Sequence, residues 1–211
     1  MLIIWSVWDV RREQKTAFSR SQESWKALKF IDGFQGRIGG WNVNRPWEAC
    51  TLGFWRDFEA CQNFMWNYHD RIFYDQGEAY ETVQLSYTIK VDEILGAHGT
   101  NFSRGLTQAK RLRVGDFITK IGSEFDVMKE QQAVWNPALH QSAGMLGGVF
   151  SQERGRNNRF IITSLWEDAS SLQRFRDEQV VSLRERLDYQ KDIDRFITRT
   201  IRLHDSWRIL P

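Results

Sequence analysis

The chain has 211 residues, 41 % of them hydrophobic and 27 % charged, with a net charge of +2. That composition fits one large or two small globular domains and excludes a disordered chain, while the mild charge excludes a nucleic-acid footprint. No run approaches the eighteen apolar residues of a membrane span, and the opening "MLIIWSVWDVRRE" lacks the basic start and apolar core of a secretory signal, so a cytoplasmic protein with no nucleic-acid or membrane partner is expected.

"LIIWSVWDV" (Leu2–Val10) is rich in β-branched and aromatic residues and reads as a strand. Phe18, Gln22, Trp25 and Leu28 then recur at helical spacing within 13–30. "DGFQGRIGGWN" begins with a glycine suited to a helix C-terminus and continues as a strand. The turn residues of "NVNRPWE" lead into a further strand, Ala49–Trp55. Asp57 stands where a helix N-cap belongs, and Cys61, Phe64, Met65, Tyr68 and Ile72 give the next helix its core face. A last strand alternates Val83, Leu85, Tyr87, Ile89 and Val91 with polar neighbours.

The order then repeats. "LRVGDFITKI" (Leu112–Ile121) is again a strand. Met128, Gln132, Trp135 and Leu139 repeat the helical stripe within 123–140, and "AGMLGGVFSQE" repeats the glycine and strand. "RFIITSLW" (Arg159–Trp166) leads into Asp168 as a second N-cap, and "IDRFITRTIRL" (Ile193–Leu203) closes the series. The junctions "GFWRDFEACQNF" and "SLWEDASSLQRF" lie 111 residues apart and are nearly the same phrase. Each half is therefore a β-α-β-β-α-β, ferredoxin-like unit. One sheet face of such a unit is left uncovered by its two helices, and a second copy supplies the cover. The fold class expected is α+β, tandem ferredoxin-like repeats forming an intramolecular pseudo-dimeric α/β barrel. The expected boundaries are 1–92 for the first repeat, 93–110 for a linker and 111–211 for the second repeat.

The junction phrases on this pattern resemble the dimeric α/β-barrel superfamily, which includes antibiotic-biosynthesis-monooxygenase-like and haem-degrading proteins. "QESWKALKFIDGFQGRIGGW", "EACTLGFWRD" and "NYHDRIF" resemble, more narrowly, the bacillar YdbC-like family. The resemblance implies a pocket between sheet and helices, and suggests either small-molecule chemistry of the cofactor-free monooxygenase kind or a non-catalytic ligand-binding, stress-response or interaction protein. Haem-degrading members carry a Trp in the second helix and a ligating His ten residues later. Here those positions are Phe64 and Tyr74, with His69 five residues early, so no haem or other cofactor is expected.

Seven of the ten tryptophans fall in the first hundred residues, which points to an aromatic pocket in the first repeat for a small aromatic or apolar ligand. Gln62, Trp66, His69 and Phe73 share one face of an uninterrupted helix. His69 is the candidate acid or base, with a surface or subunit-contact histidine as the plainer reading. Trp5, Gln22, Trp25 and Trp66 are candidate pocket residues in the first repeat; Asp116, Gln132 and Trp135 are those of the second. Gln22 and Gln132 recur on apolar faces, where a buried amide needs partners and a structural role is the plainer reading. Gly115, aligned with Trp5, opens space beside Asp116, whose carboxyl is a candidate base if buried. No two histidines among His69, His98, His140 and His204 have metal-ligand spacing, and Cys50 and Cys61 lack zinc spacing, so no metal site is expected. A fused pseudo-dimer is self-sufficient as a monomer, with a homodimer as the alternative.

Overall fold

The computed structural model describes residues 1–74, 84–97, 102–187 and 191–211; the expected strand position Val83 and the linker's His98 lie outside them. The chain divides into two units, Met1–Lys90 with Ile201–Pro211, and Val91–Thr200. Both are α+β, with the ferredoxin-like order of elements in each repeat.

The first unit begins with β1 (Leu2–Asp9), followed by α1 (Lys15–Ser21), which continues as a 3-10 helix over Gln22–Phe30. β2 (Phe34–Asn42) and β3 (Glu48–Trp55) form a hairpin, and β1 pairs antiparallel with β3. Gly33 lies between helix and β2 with φ of 76°, a left-handed conformation that suits glycine. A Cβ there would run into that of Ala60, so the turn packs against the next helix. That helix, α2 (Phe58–Asn67), starts at Asp57, whose carboxylate accepts from the Ala60 N–H at 2.8 Å. It breaks at Tyr68 (φ −133°) and resumes as α3 (His69–Tyr74). The first part of β4 (Gln84–Ala97) completes the repeat.

The second unit repeats the plan. β5 (Arg111–Thr119), β6 (Met145–Glu153) and β7 (Arg159–Trp166) pair antiparallel in the order β5-β7-β6. Both hairpins carry a bulge at the same place, Phe34/Gly36 in the first and Met145/Gly147 in the second. Asp168 caps α7 (Ala169–Arg174) as Asp57 caps α2, accepting from the Ser171 N–H at 2.7 Å. Each helical layer contains a widened π-type turn that its first-unit counterpart lacks. One, Gln131–Trp135, joins α5 (Glu124–Glu130) to α6 (Asn136–Gln141); the other, Phe175–Val180, joins α7 to α8 (Val181–Leu187).

The division into units falls within two strands. Val91–Ala97 of β4 pairs with β6 and belongs to the second unit, so the expected linker starts as strand and continues as helix α4 (Phe102–Gln108). The end of β8 (Ile193–Leu203) pairs with β2 through Ile201, Arg202 and Leu203 and belongs to the first unit. The chain terminus stays there: Trp207 is fully buried with Val10, Phe18 and Ala49, and its indole N–H donates to Ser19 Oγ at 3.0 Å. Burying a large apolar side chain stabilises by about 1.5–3 kcal/mol, which ties the terminal residues to the first core.

Candidate functional site

Alternation along β1 sends Ile4, Ser6 and Trp8 to the helix-covered face of the first unit and Ile3, Trp5 and Val7 to the other face. The pairing register puts Ser6 opposite Thr51, and Ile4 opposite Gly53. Small side chains therefore occupy the middle of this face. The helices pack over its end through Leu2, Trp55, Trp25, Leu28 and Phe64, and a cavity of about 470 Å³ is left between sheet and helices. Its walls are Trp8, Trp25, Trp55, Phe34, Phe64 and Phe73, which makes them largely aromatic.

Polar groups lie at set points on this surface. Ser6 and Thr88 share a hydroxyl hydrogen bond of 2.9 Å. The buried Arg37 donates from Nη2 to Gln22 Oε1 at 2.5 Å and lies 5.5 Å from the Trp25 ring centre. Gln22 Nε2 in turn donates to the Phe18 carbonyl and Ser21 Oγ. Gln22 thus stands behind the wall and orients Arg37. His69 is 27 % exposed and lines the cavity. Its ring stacks on Phe73 (12° between planes, centroids 5.9 Å apart) and lies 5.5 Å from the Trp25 ring. Its Nδ1 is 2.9 Å from Asp70 Oδ1, which assigns the proton to Nδ1 in the neutral ring and leaves Nε2 as the acceptor.

Of the residues singled out from the sequence, Trp25 and His69 come together in this cavity, with Gln22 behind them. Trp66 is 76 % exposed: the break at Tyr68 rotates α3 relative to α2, so the face drawn through Gln62, Trp66, His69 and Phe73 does not exist as one stripe. Trp5 is fully buried on the opposite sheet face, with no partner for its indole N–H among the described residues. Trp8, Arg37, Trp55 and the Ser6, Thr51 and Thr88 cluster were not named as site candidates, whereas Phe73, part of the stripe drawn through His69, does line the cavity. The i, i+2 alternation of β1 was the available signal for Ser6 and Trp8.

The second unit has a different interior. Leu2 stands opposite Trp55 and Arg111 opposite Trp166. The first strands are therefore offset by 109 residues, against 111 for the junctions, and the partner of Trp5 is Val114. Gly115 takes the place of Ser6, and Ile162 that of Thr51. Gly115 opens no space, since a Cβ there would meet Ile162 at 2.8 Å and the Phe196 ring at 3.3 Å. Asp116 is buried but held by Arg159 through two hydrogen bonds of 3.0 and 2.8 Å, the arrangement of a structural ion pair. Gln132 is exposed, because the π-type turn shifts the register and buries Gln131, which donates to Asn136 Oδ1 at 2.7 Å. Trp135 is half-buried, with its indole N–H donating to Glu130. It borders a small cavity of about 60 Å³.

Among the described residues no group of three His, Cys, Asp or Glu side chains is placed to hold a metal ion, and no helix is long and apolar enough to cross a membrane. Cys50 and Cys61 are free and buried, and burial pushes the Cys61 thiol up.

Comparison with known proteins defines the class first. The fold matches a crystal structure called "Putative monooxygenase" from Fusobacterium nucleatum with a TM-score of 0.75, covering 96 % of this chain and 91 % of that one at 10 % identity. A second "putative monooxygenase", from Lactobacillus acidophilus, matches with a TM-score of 0.69 over 100 % and 97 % of the two chains at 8 % identity. The chain shares the fold of these two proteins. Residues 2–88 match the family model "Domain of unknown function (DUF4937)". "Uncharacterized protein YdbC" of Bacillus subtilis is 31 % identical over 91 residues, 42 % of this chain and 76 % of the relative. The chain belongs to the YdbC-like family.

Proposed function

We propose that the first unit binds a small, largely aromatic molecule in the cavity bounded by Trp8, Trp25, Trp55 and Phe73, and acts on it as a monooxygenase-like enzyme without a bound cofactor. The cavity carries the reading: its volume of about 470 Å³ lies within the range of about 300–1,000 Å³ usual for small-ligand sites. Aromatic walls favour a planar apolar body, and the Ser6–Thr88 hydroxyl pair and Arg37 offer its oxygen atoms hydrogen bonds. The likeness to proteins called monooxygenases supports the enzymatic part by analogy of fold.

In this reading His69 accepts a proton through Nε2 from an acidic ring CH₂ of the substrate, while Asp70 steadies the resulting imidazolium. The substrate carbanion reduces molecular oxygen. One oxygen atom remains as a carbonyl, and the other leaves as water with the two hydrogens of the CH₂ group.

Non-catalytic ligand binding is a second reading, favoured by the engagement of the polar groups with one another: Ser6 with Thr88, Arg37 with Gln22. Tryptophan fluorescence titration against polycyclic phenols, anthrones and quinones, with oxygen uptake measured beside it, separates the readings. Saturable quenching with oxygen uptake lost in His69→Ala supports the enzyme. Quenching without oxygen uptake supports the binding protein. Absence of quenching contradicts both.

A further inference from the structure

The tryptophan before each strand-to-helix junction has a different neighbour in the two units. In the second, the Trp166 indole N–H donates to Ser164 Oγ at 2.9 Å, on the same strand and the same face. Trp55 is the counterpart of Trp166, and Gly53 that of Ser164: Leu2 and Ile4 pair with Trp55 and Gly53 as Arg111 and Arg113 pair with Trp166 and Ser164. Gly53 has no side chain with which to accept. The Trp55 indole N–H therefore lacks the partner of its counterpart, and no other described residue takes that place. Trp55 is only 2 % exposed, and an indole N–H so deeply placed is ordinarily hydrogen-bonded.

This donor stands at the floor of the aromatic cavity. Trp55 and Gly53 both line it, and Trp55 Nε1 lies 3.8 Å from the point where a Cβ on residue 53 would stand. Gly53 is also the partly exposed residue of an otherwise buried β3. Neither backbone nor packing demands a glycine there. A Cβ on Gly40 would run into the Arg202 carbonyl and one on Gly148 into that of Thr163; one on Gly39 would meet Thr51 at 2.7 Å. At Gly53 nothing comes closer than 3.8 Å, and φ lies outside the left-handed region. A glycine inside a strand weakens it and marks a place where another group approaches the backbone closely.

We propose that Trp55 and Gly53 form the subsite for a ligand oxygen. The carbonyl oxygen of a flat aromatic ketone lies over Gly53, where the Ser164 hydroxyl stands in the second unit, and accepts from Trp55 Nε1–H. The indole is a donor only, which matches a carbonyl, an acceptor only. The assignment rests on the aromatic cavity being a ligand site, and adds the contact that fixes how the ligand is oriented in it.

Proton–nitrogen correlation spectra of the full chain resolve the indole N–H signals, and loss of one signal in Trp55→Phe identifies that of Trp55. The probes are α-tetralone, a bicyclic aromatic ketone, and tetralin, which lacks its oxygen. The expected result is saturable binding of both, with the Trp55 signal moving downfield with α-tetralone and not with tetralin. Gly53→Ser supplies the hydroxyl of the second unit, and Gly53→Ala adds a Cβ without an acceptor; both are expected to fold, because a Cβ has room there. Binding of α-tetralone is expected to be at least about tenfold weaker in Gly53→Ser than in Gly53→Ala, the worth of one hydrogen bond. A Trp55 signal that ignores α-tetralone while either compound binds, one that follows both compounds equally, or equal binding by the two variants would overturn the assignment and leave the cavity reading standing. Binding of neither compound would overturn both.

Discussion

The two units carry the same phrase at the strand-to-helix junction and the same capping aspartate, yet one interior is open and the other filled. In the first, Ser6, Thr51 and Thr88 meet on the helix-covered face of the sheet. In the second, Gly115, Ile162 and the Phe196 ring occupy the corresponding space. Phe196 belongs to a run of packed rings, with Phe117 5.7 Å away and Phe117, Phe150 and Phe160 in mutual contact. Arg37 of the first unit has Gly148 as its counterpart, set by the pairing of each with Gly53 and Ser164. Gln22 has an arginine to orient; Gln131 turns to Asn136 instead. The difference teaches that scaffold and site are separable here: junction, caps and bulges recur, while the residues that shape the cavity do not.

The largest expected effect is on the shared scaffold. Trp166→Ala is predicted to cost about 5 kcal/mol and Trp55→Ala about 3 kcal/mol, the two ends of the range for removing a buried aromatic ring. Trp166 packs at a tilt against Phe175 in a filled core and donates to Ser164 Oγ, whereas Trp55 already borders empty volume. Urea unfolding measures both, and equal costs would erase the contrast between the interiors.

Next comes the filling ring itself. Phe196→Thr removes the ring that packs beside Gly115. It is expected to cost about 2–3 kcal/mol, below the full value for a buried Phe because the ring is half-buried. A neutral result would mean that the ring contributes little to that core.

The smallest effect separates the two caps. Asp168 accepts from the Ser171 N–H and from the hydroxyls of Ser170 and Ser171, which hold its pKa at about 2. Asp57 is lowered first by the Ala60 N–H and next by Arg56. An unfolded Asp titrates near about 3.9, so each cap contributes its stability above that pH and loses it as pH falls through its folded value. Asp168→Asn is predicted to be destabilising at pH 7 and neutral below pH about 2. Asp57→Asn is predicted to follow the same direction, with added sensitivity to salt through Arg56. Thermal melts from pH 2 to 7 give the answer.

Much of this was legible in the sequence. The repeat of "FWRD" and "LWED" located both caps and both second helices, because a strand must hand over to a helix through a side-chain acceptor. Gly33 and Gly144 marked the helix ends, and both have left-handed backbones. Register was not legible. An alignment by residue type put Gly115 against Trp5, and only the ladder pairing shows Val114 in that place. The π-type turn at Gln131–Trp135, with Pro137 just beyond it, moved the buried amide by one residue, and the break at Tyr68, with no Pro or Gly beside it, turned Trp66 out to solvent. The exchange of strand ends between units was hidden for a further reason: β4 and β8 each run past the boundary of their own repeat without a change in alternation.

The central claim is that the open cavity of the first unit is a ligand site made by its small polar floor. The most direct test is tryptophan-fluorescence titration of the wild type and Thr88→Phe with a fixed tricyclic phenol, after thermal melts show both to be folded. The account predicts saturable one-site quenching in the wild type and at least about tenfold weaker binding in Thr88→Phe, the equivalent of about 1.4 kcal/mol, because the ring occupies the floor as Phe196 does in the second unit. Equal binding by a folded Thr88→Phe variant would contradict it.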